Sequence, residues 1–328
     1  METIADLGED RLLARLFPLL PAGRDTLLGP GDDAAVLRAA DGRVVVTTDV
    51  LVEGRHFRLD WAGGYDVGWR AAVQNLADVA AMGARPTGLV VALAAPPTLQ
   101  VTWVTDFARG LAAACPEGTG VVGGDLSGGE QVVVSVTALG DLGGHAAVTR
   151  SGARAGDIVA HAGVRGWSAA GYALLAARGP LGATDTPSGA RAVEGYLRPV
   201  SPLEAGPAAA AAGATAMLDV SDGLLRDAGR LARASDVVVQ LDDPAEAFRD
   251  DADALAGLGR HLGVDVATWL LTGGEDHGLL ATFPPGAVPA PFRAIGRCDA
   301  PTDGHAAGTV LVAGEPWSGS TGWDHFRA

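Results

Sequence analysis

The sequence contains no lysine: all 24 basic residues are arginine, set against 39 acidic ones. Without that amine a chain cannot build a Walker A phosphate loop ending in GK[ST], a kinase site of the VAIK type, or a Schiff-base centre. A formal net charge of -15 also leaves no clustered positive charge to displace counterions from nucleic acid, so no nucleic-acid partner is expected. Cysteine is scarce. Cys115 and Cys298 have no CxxC spacing, which excludes a disulfide framework or a structural zinc site and leaves two buried, inert thiols as the expectation. No apolar run approaches the roughly 18 residues that span a bilayer, and the opening METIADLGED is acidic rather than basic and then apolar. Neither a membrane span nor a secretion signal is expected, and the chain reads as cytoplasmic.

What is present is apolar side chain in quantity. Hydrophobic residues make up 48% of the 328 positions and charged residues only 19%, enough to fill the cores of two ordinary domains. Helical spacing of Leu12, Leu13, Leu16 and Leu20 predicts a first helix through EDRLLARLFPLL. The β-branched run RVVVTTDVLVEG, residues 43 to 54, predicts a strand, and a helix from Tyr65 to Met82 is closed by Gly83 and Pro86. A strand GLVVALAAP, a helix through FARGLAAAC, the glycine-rich VVGGDLSGG and a strand QVVVSVTALGD complete a first domain, residues 1–145. The turn-rich DLGGHAAVTRSGARAGD then leads into a second α/β series, residues 146–328. Its late strands FRAIGRC and GTVLVAG predict a mixed sheet with helices on one side, and the alanine-rich GPAAAAAGATAM predicts a packed helix.

The chemistry lies in carboxylates placed where a chain usually avoids them. Asp32 and Asp33 lie in GPGDDAAVL, Asp49 in VVVTTDVL, Asp78 in QNLADVAAMGA, Asp125 in VVGGDLSGG, Asp219 and Asp222 in MLDVSDGL, and Glu275 with Asp276 in LLTGGEDHGLL. Each abuts an apolar run, and burying an unpaired carboxylate costs several kcal/mol. Single members have plain readings: a turn at Asp32 and Asp33, a helix cap at Asp222. The whole series is better served by shared magnesium, a hard cation that takes oxygen ligands and usually binds through a few carboxylates together with substrate phosphates. Thr47 and Thr48 add oxygens beside Asp49, and Asn75 shares a helix face with Asp78. GGDLSGG reads either as a backbone loop for phosphate or as a hairpin turn, and Arg150 in VTRSG either as a phosphate clamp or as a surface arginine.

The ordered motifs GDDAAVL, TTDVLVEGRHF, NLADVAAMGA, GGDLSGG, TRSGARAGD, DVSDGL, GGEDHGLL and GWDHF resemble the thiamine-monophosphate kinase family nearly end to end. That family belongs with aminoimidazole ribonucleotide synthetase, selenophosphate synthetase and a hydrogenase-maturation enzyme. The resemblance implies a two-domain PurM-like α/β fold: an N-terminal domain lending strands to a β-barrel in a homodimer, and a C-terminal mixed-sheet domain closing over the nucleotide. It implies magnesium ligands at Asp33, Thr47, Thr48, Asp49, Asp78, Asp125, Asp219 and Asp222, with Asp32 beside them. Contacts to the co-substrate ATP fall on Gly124, Asp125, Arg150 and Ser221, and contacts to thiamine monophosphate on His56, Glu275 and Trp323. Trp167 stands where an acidic or small residue is common, and His277 where tyrosine is frequent, so the acceptor pocket is where this chain departs from the pattern.

The implied reaction is transfer of the ATP γ-phosphoryl group to a phosphate that is already anionic, which calls for no catalytic base. The alternatives are a related ATP-using enzyme of the aminoimidazole ribonucleotide synthetase type and a non-catalytic cation-binding protein. The DxDxDG loop typical of the latter is absent.

Overall fold

A computed structural model describes residues 2–30 and 34–324. The chain forms two compact units, residues 1–79 with 84–144, and residues 80–83 with 145–328. The first unit opens with α1 (Ile4–Leu7), capped by a reciprocal pair of bonds between Thr3 and Asp6, and α2 (Glu9–Leu16). The expected first helix is shorter than its leucine spacing suggested. Pro18 lacks the N–H that an α-helix needs, and the chain tightens into a 3-10 turn at Phe17–Leu19. A two-stranded ribbon follows, of β1 (Thr26–Leu28) and β2 (Val36–Leu37).

The main sheet of this unit contains β3 (Val45–Val52), β4 (Arg85–Ala95), β5 (Gly120–Gly128) and β6 (Val133–Asp141), in the order β3–β6–β4–β5. All neighbours are antiparallel except β4 and β5. Helices α3 (Gly64–Ala81) and α4 (Val101–Ala114) bring Ala72, Leu76, Val104, Phe107 and Leu111 into the core. GGDLSGG is therefore neither a hairpin turn nor a free loop: it is edge strand, paired residue by residue with β4. At Gly124 the two strands come so close that a Cβ would lie 2.0 Å from the Val91 carbonyl oxygen, so glycine is the residue that fits.

The second unit is built on seven strands: β7 (Ile158–Ala162), β8 (Ala216–Val220), β9 (Val238–Leu241), β10 (Gly278–Phe283), β11 (Arg293–Asp299), β12 (Val310–Val312) and β13 (Glu315–Pro316). Their order is β13–β12–β9–β11–β7–β10–β8, with only β12 and β9 parallel. The helices are α5 (Trp167–Ala183, interrupted at Gly179), α6 (Pro187–Leu197), α7 (Ala205–Ala211), α8 (Leu224–Ser235), α9 (Pro244–Ala247), α10 (Arg249–Leu262) and α11 (Val266–Thr272). The alanine-rich stretch is helical as expected, and Ala205 and Ala209 of α7 pack on Met217, Leu279, Ala281 and Phe283. The strand residues between these point the other way, and there His161 meets Phe248, at the junction of α9 and α10, with ring centroids 5.4 Å apart. Helices thus cover both faces of the sheet, not one: its strands are apolar at successive positions, as burial on two sides requires.

Candidate active site

The first unit holds one group of oxygen donors on β3 and α3. Alternation along β3 turns Thr47, Asp49 and Leu51 to one face, and Thr47 Oγ1 donates to Asp78 Oδ2 at 2.8 Å. Thr48 faces the other way. Its hydroxyl donates to the Val136 carbonyl at 3.0 Å and accepts from Thr137 Oγ1 at 3.2 Å, on the face of the strand opposite Thr47 and Asp49. Asn75 is buried in α3, its Nδ2 donating to the Ala71 carbonyl at 2.9 Å, while Oδ1 has no hydrogen-bond partner one helical turn from Asp78. His56 accepts the Val52 N–H on Nδ1 at 3.0 Å, which places the proton of the neutral ring on Nε2.

Asp125 does not join that group. Register puts Asp49, Val136, Val91 and Gly124 in one cross-strand row, so Gly124 lies three strand spacings from Asp49, about 14 Å along the sheet at about 4.8 Å each. Asp125, opposite Ala92 in the next row, is exposed and accepts from Ser127 Oγ at 3.2 Å. Beside it runs a cavity of about 870 Å³, lined by Leu13 of α2, Phe17 of the 3-10 turn, Val104, Phe107 and Leu111 of α4, and Gly124. Asp32 and Asp33 lie outside the described residues. Among the described residues no three acidic, histidine or cysteine side chains form a cation-holding group.

In the second unit three of the expected motifs meet. Pairing of Gly278 with Val220 sets the loop before β10 against the loop after β8. The Ser221 carbonyl accepts from Glu275 N at 2.8 Å, and the Asp222 carbonyl accepts from Trp323 N at 2.9 Å. Ser221, Asp222, Glu275 and Trp323 thus converge although a hundred residues separate the first from the last. Glycines allow the approach: a Cβ at Gly274 would lie 2.3 Å from the Ser221 carbonyl oxygen, and one at Gly322 2.2 Å from that of Asp222.

Basic side chains of the chain itself offset part of the charge at this junction. Asp222 is not a helix cap, since Gly223 takes that position with no side-chain bond. Its carboxylate instead meets Arg230 at 2.7 Å, and Arg230 also reaches Asp227 at 2.6 Å. Burial, together with the charge of Asp219, pushes the Asp227 carboxyl up to about 6 against the pull of Arg230. Asp219 lies 3.5 Å from His277 Nδ1. Burial opposes a charge on His277, but the Asp219 carboxylate at Nδ1 and the Glu275 carboxylate 3.9 Å from Nε2 outweigh it and push the imidazolium up to about 10.

Arg150 stands apart from the junction. Thr149 receives the Met217 N–H at the start of β8, four residues before Ser221 and about 13 Å away at about 3.3 Å per residue. Arg150 itself is exposed, with its carbonyl accepting from Ser235 Oγ at 2.9 Å. Cys298 is buried as expected, whereas Cys115 is half-buried; desolvation pushes Cys115 up to about 12, and burial with the nearby Asp157 and Asp299 does the same for Cys298.

A family model described as AIR synthase related protein, N-terminal domain, matches residues 31–142. Over 325 residues the chain is 48% identical to a thiamine-monophosphate kinase of Mycobacterium tuberculosis (strain CDC 1551 / Oshkosh), covering 99% of this chain and 93% of the relative. The chain belongs to the thiamine-monophosphate kinase family. Among solved structures, the thiamine-monophosphate kinase of Stenotrophomonas maltophilia K279a aligns with TM-score 0.78 and 33% identity over 94% of this chain and 96% of that one. AaThiL complexed with AMPPCP and TMP aligns with TM-score 0.77 and 30% identity over 99% of each chain. These neighbours carry the expected PurM-like α/β fold. Sequence reading of the family's motifs missed what lies under them: Arg165, Asp227, Arg230 and Asp251 are charged residues in or beside the buried support of the junction. The spacing of Asp227 and Arg230, three apart on one helix face, was a signal in the sequence; nothing comparable marked Arg165.

Proposed function

We propose that the chain transfers the γ-phosphoryl group of ATP directly to the phosphate of thiamine monophosphate, giving thiamine diphosphate and ADP. The observation that carries this reading is the junction of Ser221, Asp222, Glu275 and Trp323, held by backbone bonds in a member of this kinase family. Trp323 is 53% exposed and offers a face to a flat cationic thiazolium, worth about 0.5–2 kcal/mol, with the Glu275 carboxylate adding attraction. The cavity beside Gly124 and Asp125 has the size and apolar lining suited to a nucleotide base. Arg150 is a guanidinium on an exposed loop, suited to grip an ATP phosphate with two parallel hydrogen bonds. With AMPPCP and TMP bound to AaThiL, both classes of ligand have a precedent in this fold.

The obstacle to the reaction is charge, since two unit negative charges 4 Å apart repel by about 4 kcal/mol at an effective dielectric near 20. The acceptor oxygen is an anion, so no residue has to remove a proton from it. The donors Thr47, Asp49 and Asp78, with the unpartnered Asn75 Oδ1 beside them, are all oxygen, as are Asp125, Asp219 and Asp222, which suits magnesium. Bound there, magnesium would offset the charge of the phosphates.

We also infer a homodimer. Val46, Val50 and Val90 lie on one face of the four-stranded sheet and are 37–64% exposed, an apolar strip that a second copy would cover. A cytoplasmic location, where ATP is at hand, accords with this reading; no described helix is long and apolar enough to cross a membrane. Release of ADP from ATP and magnesium, followed with and without thiamine monophosphate, tests the reading. Acceptor-dependent release is expected, and no release with the acceptor present refutes it.

A further inference from the structure

We propose that Arg165 and Asp276 form a buried clamp that positions Glu275 for the acceptor, a role that rests on reading Glu275 as a contact to thiamine monophosphate. Glu275 and His277 both have left-handed backbones, with φ of 67° and 51°, on either side of Asp276. Side chains other than glycine hold that conformation only where their surroundings impose it. The surroundings here are specific. Asp276 accepts the Gly166 N–H at 2.6 Å and the Ser168 N–H at 2.8 Å, which ties the loop to the start of α5.

Arg165 is wholly buried and grips the same loop from its other end. Its Nε donates to the Leu270 carbonyl at 3.1 Å and its Nη2 to the Gly273 carbonyl at 2.6 Å, where α11 gives way to the loop. Nη1 lies 3.6 Å from Asp276. A second acid fixes Arg165 in turn: Asp251 accepts the Arg165 N–H at 3.0 Å and the Trp167 indole N–H at 2.8 Å. Trp167, a departure from the family pattern, is therefore part of this support. The loop is fastened on both sides of Glu275, whose own side chain stays 37% exposed.

Stability does not account for the pair. Two charges removed from water recover in attraction little more than they lose in hydration, and an apolar pair of equal volume serves a core as well or better. What the ion pair and its carbonyl bonds supply that apolar packing cannot is a fixed backbone path, and along that path lies the one carboxylate expected to meet the acceptor.

The test is a coupling measurement on the full-length enzyme with Asp276→Asn, Glu275→Gln and the double variant. Asp276→Asn is expected to raise KM for thiamine monophosphate about tenfold, with kcat and KM for ATP changed less than about threefold. The double variant is expected to match Glu275→Gln alone, because a clamp that acts through Glu275 has nothing left to position. Independent, multiplying effects would overturn the proposal, as would an unchanged KM in Asp276→Asn. An unchanged KM in Glu275→Gln would sink the reading of Glu275 itself, and the clamp with it, whereas a rise in Glu275→Gln without one in Asp276→Asn sinks the clamp alone. If Asp276→Asn does not fold, Arg165→Lys keeps the charge, loses the two-pronged grip on the carbonyls, and is judged by the same outcomes.

Discussion

Substituting Gly322 by alanine probes the junction at its most crowded point. The backbone there has φ of 146°, and the new methyl would lie 2.2 Å from the Asp222 carbonyl oxygen and 3.2 Å from Arg226 Cβ. Restoring an ordinary contact of 3.4 Å means parting the two segments by about 1.2 Å. The bond from Trp323 N to the Asp222 carbonyl, now 2.9 Å, then opens to about 4 Å and ceases to be a hydrogen bond. About 1 kcal/mol of backbone bonding and about 0.5–2 kcal/mol of ring contact with the thiazolium are at stake. Together they predict a rise of roughly 10–100-fold in KM for thiamine monophosphate. The global fold should lose no more than about 2 kcal/mol, since residues 318–324 are all exposed or half-buried. Steady-state kinetics with each substrate varied at saturation of the other separates the cases. Trp323→Ala in the Gly322→Ala background should add nothing further. An unchanged KM for the acceptor, or an equal rise in both KM values, would refute the reasoning.

Asp→Asn at Asp49, Asp78 or Asp125 should cut turnover at least about tenfold with the fold retained by circular dichroism, and full activity in all three would remove the magnesium assignment. Stability in chelator-containing buffer should fall as pH rises from about 6.5 to about 10. The folded chain holds a proton on His277 that the unfolded chain releases earlier, at about 1.4 kcal/mol for each unit of difference. His277→Gln should flatten that slope, which chemical denaturation at several pH values would measure. Cys115 and Cys298, both pushed to about 12, should have about one part in ten thousand as thiolate at pH 8. Cys298, which is buried, should react with a thiol reagent only on unfolding, and the half-buried Cys115 only slowly; rapid labelling of Cys298 in the native protein would contradict this.

The sequence makes the junction legible because its residues are chemically out of place: Asp219, Asp222, Glu275 and Asp276 interrupt apolar runs, and that contrast needs no tertiary information. β-Branched runs likewise mark β3 and β6, and Gly83 with Pro86 marks the end of α3. GGDLSGG misled because glycine signals a turn locally, whereas here it serves a neighbouring strand that only the fold brings near. Asp222 had the sequence of a helix cap, yet its partner is Arg230, two turns along α8. Arg165 was invisible for a related reason. Between Val164 and Gly166 it reads as an exposed loop residue, and its complete burial follows from α11 and the GGED loop closing over it. Apolar periodicity finds which face of an element is buried, but it does not find a buried charge whose partners lie a hundred residues away.

The claim beneath all of this is direct transfer between two phosphates. ATP labelled with ³²P at the γ position, incubated with the enzyme, magnesium and thiamine monophosphate, should place its label in the terminal phosphate of thiamine diphosphate, one for each ADP formed. Label recovered as inorganic phosphate, with thiamine monophosphate unchanged, would contradict the account.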